Sequence, residues 1–214
     1  MIDTHAHIYL PEFDEDRLSV IERAKAIGVK HIILPNVDSQ TINSLLKLEK
    51  SAPDFFHAAM GLHPTSVKSD WENELDIIKT QIDNRSFCAI GEIGIDLYWD
   101  KTYLKEQLIV FEKQLEWAIN LNLPVIIHVR EAFAETLACV KKMNCKDLRG
   151  VFHSFGGSLE EAQAIMELGG FKLGINGVVT FKNSDLKNYL SNIPLEMLVL
   201  ETDAPYLTPV PFRG

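Results

Sequence analysis

At 214 residues, 46% of them hydrophobic and 24% charged, the chain is long enough to bury one large core, and a single globular enzyme domain over residues 1–214 is expected. The net charge of −9 argues against a protein that coats a nucleic-acid backbone, yet bound cations reverse the sign locally, so a metal-centred phosphoesterase stays open. No apolar run reaches the roughly 18 residues of a membrane span, and Asp3 and His5 stand where a secretory signal carries basic residues.

In chain order, a strand over Ile2–Ile8 is followed by a helix over Asp16–Ala26, a strand over His31–Val37 and a helix over Thr41–Lys50. The same alternation continues with a strand over Phe55–Leu62, a helix over Glu72–Ile82, a strand over Phe87–Ile95 and a helix over Leu104–Leu121. Strands over Pro124–Val129, Gly150–Ser154, Phe171–Val179 and Met197–Thr202 complete the series, separated by helices over Ala132–Met143, Leu159–Leu168 and Leu186–Ser191. Repeated βα units of this kind predict a parallel sheet, and eight strands with right-handed crossovers predict a closed TIM-type (β/α)8 barrel; a doubly wound open sheet is the alternative. Only seven helices are counted, because the residues Pro209–Gly214 stop where an eighth helix is called for. The barrel therefore lacks its last helix in the chain given, or the chain is a shortened form, and the uncovered apolar strip is expected to recruit a partner or a second copy.

Three cysteines, Cys88, Cys139 and Cys145, are odd in number and have no metal-finger spacing, so they read as packing in a protein of the reducing cytoplasm. The chemistry lies elsewhere. His5 and His7 sit at i and i+2 of a strand, which points both imidazoles to one side, roughly 6.6 Å apart along it. His63, Glu92, His128, His153 and Asp203 then fall near the carboxyl ends of the third, fourth, fifth, sixth and eighth predicted strands, where barrel active sites are built. So many ionisable groups at one mouth must be paired or ligated.

The segments that carry these residues are Asp-Thr-His-Ala-His at Asp3–His7, Gly-Leu-His-Pro at Gly61–Pro64 and Gly-Glu-Ile-Gly-Ile-Asp at Gly91–Asp96. Ile-His-Val-Arg at Ile127–Arg130, His-Ser-Phe at His153–Phe155 and Leu-Glu-Thr-Asp-Ala-Pro-Tyr-Leu at Leu200–Leu207 follow in order. Together they resemble the TatD family of metal-dependent, deoxyribonuclease-like hydrolases in the amidohydrolase superfamily. Two departures stand out: Leu97 replaces a commonly aromatic residue, and family members usually continue past the final Phe-Arg-Gly through a last helix.

The resemblance implies two divalent ions per chain, the first held by His5, His7, Glu92 and Asp203, the second by Glu92, His128 and His153, with Glu92 bridging. It implies a phosphodiesterase acting on DNA or nucleotides, at single-stranded ends, with no membrane partner. In such a two-metal site one ion activates water while the pair clamps a phosphate oxygen. Asp203 is expected to serve also as general base. His63, without a metal position in the pattern, is expected to contact the substrate phosphate or the leaving oxygen, and Arg130 to add a bidentate phosphate contact. Mixed nitrogen and oxygen donors suit Zn²⁺ or Mn²⁺, while the resemblance also allows Mg²⁺.

Several residues carry plainer readings. His31 and His57 begin strands at the end opposite the mouth and read as structural. Asp96 and Glu201 share the parity of Glu92 and Asp203 and either orient ligands or serve structure alone. Tyr98 and Trp99 either stack on a base or pack their own loop, and Arg130 has a salt-bridge role as its alternative. Two further functions compete with a phosphodiesterase: a two-metal hydrolase of another ester, a lactone or a cyclic amide, and a metal- or partner-binding barrel without turnover.

Overall fold

The computed structural model describes residues 1–143 and 146–213; Cys145 lies outside the described residues. Strand β1 (Ile2–Asp3) leads to helix α1 (Arg17–Ala26), β2 (His31–Pro35), α2 (Ile42–Ser51), β3 (Phe56–Ala59), α3 (Trp71–Asn84), β4 (Ile90–Asp96) and α4 (Leu104–Leu121). Then follow β5 (Val125–Arg130), α5 (Phe133–Met143), β6 (Gly150–Phe152), α6 (Leu159–Met166), β7 (Phe171–Ile175), α7 (Leu186–Tyr189) and β8 (Leu198–Leu200).

Every ladder is parallel, in the orders β1-β2-β3 and β4-β5-β6-β7-β8. Two seams join these sheets into a closed barrel rather than an open one. At the first, Met60 pairs with Ile90, the Met60 N–H donates to Ala89 at 3.1 Å and the Gly91 N–H donates to Met60 at 3.1 Å. At the second, the Thr4 N–H donates to Leu200 at 3.1 Å and the Asp203 N–H to His5 at 2.8 Å. The first strand is much shorter than the predicted Ile2–Ile8, because beyond Asp3 its backbone bonds are scattered between Ile33 on β2 and Asp203 and Ala204 after β8 instead of forming a regular ladder.

Helix α4 shows how the sequence sets the site. Its buried residues Gln107, Val110, Phe111, Gln114, Leu115 and Ala118 recur at the three- and four-residue steps of one helical face. Two of them are amides rather than hydrocarbons. Gln114 accepts from the Leu62 N–H at 2.7 Å and donates to the Leu62 carbonyl at 3.2 Å; Gln107 does the same to Asp96 at 2.9 and 3.1 Å. The helix thus clamps the backbone at the ends of β3 and β4, next to His63 and at Asp96, and leaves neither peptide group unsatisfied. Close approach governs two glycines as well. Gly94, at φ +147°, faces the His128 carbonyl so closely that a Cβ would stand 2.0 Å from it, and a Cβ on Gly174 would stand 2.4 Å from the Glu201 carboxylate.

Seven α-helices accompany eight strands among the described residues. Beside the closing seam, Ile2 on β1 and Leu200 on β8 are 47% and 57% exposed, as the helix count leads one to expect. No described helix is long and apolar enough to cross a membrane. Among the described cysteines, Cys88 and Cys139 are free thiols, and burial pushes them up to about 12 and about 11.

Candidate metal centre

His5 and His7 follow β1, His63 follows β3, Glu92 lies on β4, His128 on β5, His153 directly after β6 and Asp203 shortly after β8. Apart from Glu92, the third residue of β4, they lie in the carboxyl half of their strands or beyond it, and all line or adjoin one cavity of about 980 Å³. Three residues at these strand ends, Glu131, Ser154 and Asp203, hold φ of +51°, +49° and +59°. Such left-handed backbone costs a non-glycine residue on the order of 1–3 kcal/mol and concentrates at functional sites.

The first cluster is His5, His7 and Asp203, with Glu92 against it. Nε2 of His5 and Nε2 of His7 are 3.1 Å apart. Oε2 of Glu92 is 3.2 and 3.6 Å from them, and Oδ1 of Asp203 is 3.5 Å from both. Donors bound at about 2.0–2.1 Å in tetrahedral array stand roughly 3.3 Å from one another, so this spacing fits one cation. The proton placement fits too. The Tyr9 hydroxyl donates to the Pro35 carbonyl at 2.6 Å, so at 3.0 Å it must accept from His7 Nδ1, which leaves the lone pair on His7 Nε2.

The opposite oxygen of Glu92 faces a second cluster, His63, Glu92 and His128. Oε1 is 2.9 Å from His128 Nδ1, 3.4 Å from His63 Nε2 and 3.9 Å from His153 Nε2. A carboxylate whose two oxygens look into two donor clusters is the arrangement of a bridging ligand, and these buried His, Glu and Asp groups fit a two-metal site. Burial raises the Glu92 pKa, but the imidazoles of His5, His63 and His153 and the hydrogen bond from His128 outweigh it and hold the carboxyl well below its usual range.

The clusters differ in one respect from the ligand sets implied by the resemblance. His153 groups with His5 and Glu92, its ring stacked on His5 at 3.4 Å between centroids, rather than with His128. Outside the centre, Glu201 Oε1 accepts the Ser154 N–H and stands in ion-pair contact with His153 Nδ1 at 3.0 Å, facing the far edge of that ring. His63, in turn, stands in the second cluster, yet its Nδ1 accepts from the Thr65 N–H at 3.1 Å. The neutral ring therefore carries its proton on Nε2, which points at Glu92 as a donor and not as a lone pair. Burial lowers the His63 pKa and keeps it neutral.

Asp96 and Glu201 both reach ligand candidates: Asp96 Oδ2 is 2.9 Å from His128 Nε2, and Glu201 holds His153 as described. His128 stands between two carboxylates, its Nδ1 2.9 Å from Glu92 and its Nε2 2.9 Å from Asp96; burial lowers its pKa, but the bonds to Asp96 and Glu92 prevail and raise it. Arg130 and Trp99 line the same cavity. His31 and His57 lie 3.0 Å apart at the amino ends of β2 and β3, away from the mouth. Two residues were not singled out from sequence. Tyr9 continues the i, i+2 parity of His5 and His7 and had that signal available, whereas Tyr206, 6.1 Å from the His7 ring, had only its place in the Leu200–Leu207 segment.

Residues 2–214 match the TatD related DNase family. The chain is 39% identical over 215 residues to the uncharacterized metal-dependent hydrolase YabD of Bacillus subtilis, covering all of this chain and 84% of that protein. It is 31% identical over 216 residues to the 3′-5′ ssDNA/RNA exonuclease TatD of Pantoea vagans, covering all of this chain and 82% of that protein. The crystal structure of the TatD homologue YjjV from Escherichia coli superposes with a TM-score of 0.92 at 32% identity, over all of this chain and 83% of that one. The barrel, its donor clusters and a match that runs from the second residue to the last place this protein in the TatD-related DNase family.

Proposed function

We propose that the protein is a two-metal phosphodiesterase of the cytoplasm, one barrel domain over residues 1–214, that removes nucleotides from single-stranded DNA ends. The single observation that carries this reading is Glu92, whose Oε2 faces His5 and His7 while its Oε1 faces His128 and His63. Relatives that carry the name of a 3′-5′ ssDNA/RNA exonuclease support the choice of substrate. When bound, a pair of divalent ions would supply Lewis acidity to a phosphoryl oxygen and lower the pKa of a water.

In the ligand sets that the family resemblance implies, His5, His7 and Asp203 would hold the first ion, His128 and His153 the second, and Glu92 would serve both. Asp203 also takes the proton of the attacking water. Burial raises its pKa, but the imidazoles of His153, His7 and His5 around it outweigh this and keep it ionised. His63 offers its Nε2 proton to the substrate phosphate or leaving oxygen, and Arg130 contacts the phosphate. The donor set of imidazoles with carboxylates favours Zn²⁺ or Mn²⁺ over Mg²⁺.

A panel of single-stranded oligonucleotide, methyl p-nitrophenyl phosphate, p-nitrophenyl phosphate, a lactone and an anilide, each with Mg²⁺, Mn²⁺ or Zn²⁺, tests the reading. Metal-dependent cleavage of the two diesters above the others is expected. Preference for the lactone or anilide transfers the site to another hydrolysis, and metal binding without any turnover makes the barrel a binding protein.

A further inference from the structure

The loop after β4 places two aromatic rings at the rim of the metal-centre cavity. Tyr98 and Trp99 are 48% and 71% exposed, meeting edge to face at 4.9 Å. Their loop is tied to the centre by one carboxylate. Asp96 accepts the N–H groups of Tyr98 and Trp99 on Oδ1, at 3.0 and 3.4 Å, while its Oδ2 contacts His128 Nε2. The rings are thereby registered against the centre rather than left on a free tip.

Arg130 ends β5 two residues beyond His128, and its guanidinium lies over both rings, 3.8 Å from the Tyr98 centroid and 5.3 Å from that of Trp99. It forms no ion pair with a carboxylate among the described residues. In a chain with 30 acidic and 21 basic residues, a guanidinium left to aromatic faces instead of a carboxylate keeps its N–H edge available. Tyr98 is spent on packing Arg130. Trp99, the more exposed ring, lines the cavity together with Arg130 and keeps most of its surface free.

A planar apolar face beside an unpaired phosphate-binding group matches one ligand chemistry, a nucleobase with its attached phosphodiester. Every base offers a face to stack, and an arginine fork suits the two phosphate oxygens. We infer that Trp99, backed by Tyr98 and Arg130, forms a nucleobase-stacking subsite that holds the base next to the scissile phosphodiester. Selection then falls on nucleotidyl diesters over diesters that lack a base. The inference rests on the phosphodiesterase reading above, of which it names the substrate contact.

The test compares fluorescein-labelled hexadeoxyadenylate with the same backbone carrying abasic sites throughout, by equilibrium anisotropy in Ca²⁺ and by KM in the activating metal. The parent protein is expected to favour the base-containing strand by roughly 5- to 100-fold, the range of one stacked base. Trp99→Ala should collapse that preference to within about twofold, and Trp99→Phe should keep most of it. A parent with no preference for bases, or a Trp99→Ala variant that keeps the preference, overturns the inference. Failure of the parent to cleave either strand or methyl p-nitrophenyl phosphate overturns the phosphodiesterase reading instead, and the anisotropy comparison still decides the subsite.

Discussion

The Tyr9 hydroxyl bridges His7 Nδ1, at 3.0 Å, and the Pro35 carbonyl, at 2.6 Å, and so decides which nitrogen of His7 faces the metal centre. Tyr9→Phe keeps the buried ring and removes that choice. Metal affinity should drop by roughly 10- to 100-fold, as for other groups that orient a ligating histidine. Calorimetric titration with Zn²⁺ reads the loss, and the ¹⁵N shifts of His7 in metal-free protein should move from a single Nδ1–H tautomer toward a mixture. Unchanged affinity with unchanged shifts removes Tyr9 from this role.

Asp203→Asn separates the two duties of that side chain. Asparagine tolerates the left-handed backbone at φ +59°, so the turn survives, and its amide oxygen can still contact an ion. It cannot take a proton. Turnover on a diester should fall by about 10²-fold or more while bound metal, counted by atomic emission, stays above half of the parent content. Activity within a few-fold of the parent would take the base role away from Asp203.

Gln114 on α4 satisfies both backbone groups of Leu62, the residue before His63. Gln114→Leu preserves volume and leaves a buried N–H and C=O without partners. Urea denaturation should show a loss of roughly 2–4 kcal/mol. A loss under about 0.5 kcal/mol would mean the backbone finds other partners.

Asp3 supplies a pH signature. Burial, aided by the Glu201 charge, raises its pKa to about 6 against the hydrogen bonds from Thr202 and from the His5 N–H. The folded value lies above the ordinary 3.8, so the protonated group contributes stability that is full below pH 3.8 and lost as pH rises through about 6. In metal-free protein, the stability of the parent relative to Asp3→Asn should therefore decline between these two values. Urea midpoints measured for both across this window check it, and a difference that stays level would refute the assignment.

Gly174 leaves room for the Glu201 carboxylate, which holds His153. Gly174→Ala should displace that carboxylate and weaken metal binding while melting within a few degrees of the parent. Wild-type metal content in this variant would show that Glu201 does not position His153.

Much of this protein was readable before folding. Parallel βα alternation and the edges of α4 at Leu104 and Leu121 follow from periodicities that are local to a few turns of chain, and so does the shared side of His5 and His7. The gathering of His63, His128, His153 and Asp203 at one mouth follows once the strands are laid parallel, since each lies in the carboxyl half of its strand or just past it, while Glu92 reaches them from the amino half of β4. What periodicity cannot carry is the facing of individual atoms. Whether His63 presents a proton or a lone pair depends on the Thr65 N–H, the orientation of His153 on Glu201, and the edge of His7 on a hydroxyl that itself bonds a carbonyl of β2. The clamping amides Gln107 and Gln114 interrupt an apolar face, and their partners on β4 and after β3 lie 11 and 52 residues away. Hydrogen-bond direction is set by contacts of that range, across the barrel, and only the closed tertiary structure brings the donor and acceptor within reach.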